Sequence, residues 1–165
     1  MNHLWSPWRM EYIQTKKDNS SCVFCDVLEQ EDGWENLILF RGRYNYAILN
    51  RYPYNTGHAL IIPYRHVASY ELLTPEERSE MMELINQTTK VIRQAYHPDA
   101  FNIGANIGEA AGAGIAPHVH FHVLPRWYGD TNFVTTIGQT RIVPENLSDT
   151  YDQLKKAWGE IFGTP

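Results

Sequence analysis

No run of about 18 apolar residues occurs in the chain, so a helix that spans a membrane is excluded. Residues 1–17, MNHLWSPWRMEYIQTKK, contain no continuous apolar stretch of the secretory kind, and a cytoplasmic location is expected. Positive charge is not in excess. Fourteen Lys and Arg stand against 19 Asp and Glu, a net charge of −5. That argues against a broad basic face for nucleic acid, but not against a small anion held by local donors. A G-K-[ST] signature is missing, which excludes a Walker-type phosphate loop. Cysteine is scarce: Cys22 and Cys25 in CVFC are the only two. With no export signal, such a pair points to metal binding or redox chemistry before a structural disulfide.

No repeat, low-complexity tract or linker divides the 165 residues, and a single domain over 1–165 is expected. Residues 1–20 read as an N-terminal arm. Its aromatic part, LWSPWRMEY, would pack on the body or on a partner subunit. Residues 37–41 and 44–50 read as two strands joined by a tight turn at Gly42-Arg43, and 58–63 as a third strand ended by Pro63. Thr74, Pro75 and Glu77 form a capping box with proline at the first helical position. Met81, Leu84, Ile85, Thr88, Val91, Ile92 and Ala95 then recur at helical spacing as one buried stripe. Residues 101–108 read as a fourth strand and 118–125 as a fifth. Residues 129–144 extend the sheet or cross to a second subunit. Ser148 caps a last helix with Leu154, Ala157, Trp158 and Ile161 inward. Adjacent hairpins and few helices predict an α+β protein with a mostly antiparallel sheet.

The informative stretch is PHVHFHVLPRW, 117–127. Strand side chains alternate, so His118, His120 and His122 share one face and Val119, Phe121 and Val123 the other. The apolar set packs against the helix; the histidines form a row about 6.5 Å apart, bounded by Pro117 and Pro125. Three chemistries suit such a row: a His-rich solvent face, a metal site built on H-x-H, or nucleophilic catalysis by a neutral imidazole nitrogen. The preceding loop, GEAAGAG, is either a flexible connector or a cradle whose amides approach phosphate oxygens.

His118-Val119-His120-Phe121-His122-Val123-Leu124 resembles the H-x-H-x-H motif of the histidine triad (HIT) superfamily. NRYPYNTGHALIIP, 50–63, is similar to the N-R-x-P-x-x-x-G-H-x-L-x-x-P stretch of its fragile-histidine-triad branch. The flanks LWSPWRMEYI and GDTNFVTTIGQTRIVP resemble bacterial HIT proteins of the diadenosine tetraphosphate phosphorylase kind. The resemblance implies the HIT fold, with a long capped helix and a C-terminal helix, and a homodimer. It also implies transfer of a nucleotidyl group from a dinucleoside polyphosphate through a nucleotidyl-histidine.

By position, the resemblance makes His120 the nucleophile, and gives His122 the phosphate and leaving-group oxygens. His58 supports the nucleophile's surroundings; a buried histidine satisfied by a backbone carbonyl is the plainer role. Asn50 would bind ribose hydroxyls or be a turn residue. Asn106 would lie near the α-phosphate, with Gly112, Ala113 and Gly114 as the phosphate loop. Relatives with C-x-x-C hold structural zinc, here through Cys22, Cys25, His66 and His118; the alternative is two reduced thiols and a surface His66. Magnesium is expected, if at all, only with the substrate phosphates. Phosphoramidase branches carry a polar residue just before the triad. Gly114-Ile115-Ala116-Pro117 has no hydroxyl, which disfavours that activity. Four outcomes stay open: a phosphorylase using inorganic phosphate, a hydrolase using water, a sensor that binds nucleotide without turnover, and an enzyme with a catalytic metal, which chelator would inactivate.

Overall fold

Continuous apolar runs on either side of Gly42-Arg43 make a hairpin, β1 (Ile38–Arg41) and β2 (Asn45–Leu49), and β2, buried on both faces, pairs on with β3 (Ala59–Pro63). The computed structural model describes residues 21–137 and 145–163. The arm of residues 1–20 lies outside the described residues, as do residues 138–144. A short helix, α1 (Val23–Asp26), precedes the hairpin. After β3 come the long helix α2 (Pro75–Tyr96), β4 (Ala100–Gly104), β5 (Phe121–Arg126), one turn of helix α3 (Phe133–Thr136) and α4 (Leu147–Phe162). The five strands form one antiparallel sheet in the order β1-β2-β3-β5-β4.

Register decides what each face carries. Paired residues share a face, so Ala47, Ile61, Ala59 and Val123 line up on one side, and Tyr46, Ile62, Ile48, Leu60 and His122 on the other. The first set is buried beneath α2 and α4, which pack on each other and on the sheet. α2 starts as its sequence requires: the Thr74 hydroxyl accepts the Glu77 amide, and the Glu77 carboxylate accepts the Thr74 amide. Its buried stripe is Met81, Leu84, Ile85, Thr88, Val91 and Ile92. The second face carries the histidines.

Four expected boundaries move. The row at 118–125 enters the ladder only at Phe121. Continued beyond Phe121, the register would set Ile62 opposite His120 and Pro63 opposite Val119; Pro63 has no amide to donate, and its carbonyl accepts the His118 imidazole at 2.9 Å. Pro125 does not end the strand; it pairs with Phe101 inside β5, tolerated because β3 pairs only as far as Val123. β4, expected to reach 108, stops at Gly104, the partner of His122, because β5 offers no ladder before Phe121. At α4 the cap is Asn146, not Ser148, which lies inside the first turn. Ile161 is exposed, because the apolar stripe outruns the body after Trp158, whose ring stacks on Phe40 at 5.0 Å.

The β1–β2 turn is closed from outside. Glu80 of α2 accepts the backbone N–H groups of Arg43, Tyr44 and Asn45 at 2.6, 2.7 and 2.8 Å. A Cβ at Gly42 would lie 2.8 Å from the Asn45 carbonyl oxygen and 3.0 Å from the Glu80 carboxyl, so the position demands glycine. Removing the carboxylate strands three amides. Glu80→Ala should lower unfolding free energy by about 2–4 kcal/mol in urea titrations; an unchanged midpoint would show that water replaces Glu80 without loss.

Candidate functional site

Four of the seven histidines of the chain meet where β3 and β5 pair, and each has its proton placed by a neighbour. The His120 Nδ1 lies 2.9 Å from the carbonyl oxygen of His118. A carbonyl only accepts, so Nδ1 carries the hydrogen and Nε2 keeps its lone pair. For His58 the logic runs the other way. The Tyr54 backbone N–H donates to His58 Nδ1 at 3.1 Å, and Asn50 Nδ2 lies 3.2 Å from the same nitrogen. The Asn50 amide is oriented by the Tyr52 N–H, which donates to Asn50 Oδ1 at 3.0 Å. An acceptor at Nδ1 leaves the His58 proton on Nε2, 2.9 Å from His122 Nδ1. His58 therefore donates to His122, and His122 holds its own proton on Nε2. A nitrogen with a bare lone pair and a nitrogen bearing a hydrogen thus stand on adjacent rings, 5.1 Å between centroids.

All of these imidazoles are uncharged near pH 7. Burial, and then the neighbouring His122 and His120, push His58 down to about 3. Burial and then His120 push His122 down to about 4. Burial also lowers His120, against the pull of the His118 carbonyl. The loop that carries Tyr54 is pinned at its far end. Asn55 Nδ2 donates to the Pro125 carbonyl at 3.0 Å and to Asp130 at 2.9 Å, and Arg126 binds Asp130 through two nitrogens. The Tyr54 ring lies 4.7 Å from that of His58 and 6.1 Å from that of His122.

The first histidine of the row turns to other partners. His118 Nε2 donates to the Pro63 carbonyl, which leaves Nδ1 free to ligate. That nitrogen lies 3.4 Å from Cys22 Sγ and 3.8 Å from Cys25 Sγ, and His66 Nδ1 lies 3.4 Å from Cys25 Sγ. The four ligand atoms all fall within 4.8 Å of one another. A tetrahedral ion with two thiolate and two imidazole ligands sets sulfur–nitrogen edges of about 3.5 Å, which these separations match. Burial and the adjacent Cys22 push the Cys25 thiol up to about 11, a cost that a bound cation relieves. The residues fit a metal ion.

Other expected residues stand apart. Asn106 is exposed, two residues past Gly104, the partner of His122. The loop amides are partly spent: Gly112 N donates to the Glu109 carbonyl at 2.9 Å and Ala113 N to the Gly108 carbonyl at 3.3 Å. Gly114 donates no hydrogen bond to another described residue. The phosphate cradle expected from all three is thus reduced, because Glu109–Ala111 winds into a 3-10 turn that uses its neighbours' amides. Asn50 serves the turn and His58. His97 is exposed at the end of α2. Phe24 and Tyr54 were not anticipated. Each lies in a motif, CVFC or RYPYNTG, whose polar or turn-forming residues attract attention, and only the fold shows where the rings go.

Fold and row together define an α+β protein of the histidine-triad class. The chain belongs to the HIT family, whose domain matches residues 34–128. It is 40% identical to an AP-4-A phosphorylase of Mycobacterium tuberculosis, over 96% of this chain and 85% of that protein. It is 34% identical to the asymmetrical bis(5'-nucleosyl)-tetraphosphatase of Schizosaccharomyces pombe, over 56% of this chain and 50% of that one. A Zn-bound histidine triad family protein from Mycobacterium smegmatis superposes with a TM-score of 0.69, at 28% identity, over 86% of this chain and 95% of that one.

Histidines buried in neutral form make stability depend on pH. An unfolded histidine binds its proton below about pH 6.5, whereas folded His58 resists it until about pH 3. Stability is therefore full above pH 6.5 and is lost as pH falls through that window. His58 alone should remove about 3 kcal/mol by pH 4.5. Denaturant melts at pH 7 and pH 4.5 check this: His58→Gln should show a shallower dependence than wild type, and equal slopes would contradict the burial.

Proposed function

We propose that the chain cleaves dinucleoside polyphosphates by moving a nucleotidyl group onto His120 and then onto inorganic phosphate. The observation that carries this is the proton arrangement: a bare Nε2 on His120 beside an N–H at Nε2 of His122. His120 Nε2 attacks the α-phosphorus of the bound nucleotide. A P–N bond forms as the bridging P–O bond breaks, and the His122 N–H stabilises the charge that builds on the bridging oxygen. With diadenosine tetraphosphate the first step releases ATP. Phosphate then attacks the nucleotidyl-histidine, the P–N bond breaks, and ADP leaves. The 40% identity to an AP-4-A phosphorylase over nearly the whole chain supports phosphate as acceptor over water.

His58 holds His122 in the required tautomer, and Asn50 holds His58 while its position suits the ribose. Asn106 and Gly114 complete the phosphate surroundings. Zinc is the ion that best suits two thiolates and two imidazoles at Cys22, Cys25, His66 and His118. It would cross-link the CVFC turn to the segments that follow β3 and precede β5, and would take no part in the transfer. Magnesium would accompany only the substrate phosphates. The protein acts as a single domain, in the cytoplasm, as a homodimer; no helix among the described residues is long and apolar enough to cross a membrane.

Trapping tests the chemistry. Mixing with diadenosine tetraphosphate, quenching in alkali and mapping peptides should place an adenylyl adduct on His120, and His120→Ala should lower kcat by more than about a thousandfold. ADP should appear only when phosphate is present. AMP released at an equal rate without phosphate would make the protein a hydrolase, and nucleotide binding with no turnover would make it a sensor. For the metal, protein purified without chelator should contain one zinc per chain, and Cys22→Ser should abolish it and lower the melting temperature. Less than a tenth of an equivalent in wild type would overturn the zinc assignment.

A further inference from the structure

The CVFC turn brings more than its two thiols to the site. Cys25 N and Asp26 N both donate to the Cys22 carbonyl, at 2.8 and 2.9 Å, so the turn is a rigid unit. Phe24 lies between the two cysteines and is buried. Its ring lies 5.0 Å from His120, with planes at 61°, and 5.7 Å from His118, at 85°. Its carbonyl accepts the buried Tyr46 hydroxyl at 2.6 Å, which ties the same residue to the centre of β2. His120 is thus held from two directions, and both begin at the cluster. The His118 carbonyl fixes its Nδ1–H, and the Phe24 ring packs against its side. Two residues whose other ends face one metal-ligand set together determine where the His120 lone pair points.

We infer that Phe24 is a positioning residue, through which the Cys22–Cys25–His66–His118 cluster sets the orientation of His120. This rests on His120 being the nucleophile. The Phe24 side chain is buried and carries no polar atom to offer a phosphate or a leaving group, so its loss should alter the rate of attack and not substrate affinity. A ring misplaced by about an ångström costs in-line attack one to two orders of magnitude.

The test uses the full chain with its metal, in Phe24→Leu and Phe24→Ala forms. Phe24→Leu keeps most of the volume and guards against a variant that fails to fold. Both should retain the zinc content and KM of wild type. The rate of adduct formation on His120 should fall 10- to 100-fold in Phe24→Ala and less in Phe24→Leu. Nitrogen-15 spectra of the imidazoles supply a readout independent of turnover: the protonated Nδ1 of His120 should lose its single environment in Phe24→Ala and in wild type stripped of zinc. Wild-type adduct rates in Phe24→Ala, or an unchanged His120 signal after zinc removal, would overturn the coupling. So would metal loss in parallel with rate in both variants, because the defect would then lie in the cluster alone. Absence of any adduct in wild type would instead remove the nucleophile assignment, and the spectra would still decide whether Phe24 orders the ring.

Discussion

The site depends on main-chain groups deciding where imidazole protons sit. The His118 carbonyl holds a hydrogen on His120 Nδ1, the Tyr54 amide bars one from His58 Nδ1, and the Pro63 carbonyl claims the one on His118. None of these partners titrates. The tautomers are therefore properties of the fold, unaffected by ionic conditions as long as the backbone keeps its shape. Neutral imidazoles so close together would otherwise be interchangeable. Here each has one assignment: His118 keeps a lone pair on Nδ1 beside the two thiols, His120 keeps one on Nε2, and His122 keeps a hydrogen on Nε2.

That division of labour comes from where the ladder stops. A strict strand would have given three equivalent side chains on one face. The ladder stops at the Ile61–Phe121 pair, and Pro63, which falls opposite Val119, offers no amide to extend it; the carbonyls and rings of residues 118–120 thereby become available to each other. Val119 stays anchored by donating to the Val67 carbonyl at 2.7 Å, which keeps the extended course without a neighbouring strand. His122 remains in register with Leu60 and Gly104, on the firm part of the sheet.

Much of this was legible in the residues. Period-two alternation at 118–123 gave the shared face, the Thr74-Pro75-Glu77 start gave the long helix, and the C-x-x-C pair pointed to metal or redox chemistry; His66 and His118 joined it as ligands only through the family resemblance, and the fold closes the four to within 4.8 Å. What escaped was non-local. Strand ends depend on which neighbour runs out first, so 101–108 shortened to Ala100–Gly104 and Pro125 was absorbed into β5. The His58–His122 hydrogen bond joins residues 64 apart, and nothing in either motif specifies the contact. Phe24 was invisible for another reason: an apolar residue between two cysteines reads as filler until its ring is found against a histidine.

The loop between β4 and β5 spends its Gly112 and Ala113 amides on its own turns and leans little on the ladder. It is therefore a modular part. The turn over residues 108–113 can be rewritten in length and sequence without disturbing the β5 ladder, which begins only at Phe121. Under the chemistry proposed above, such a scaffold would exchange the molecule that finishes the reaction while the first half of the chemistry stays as it is.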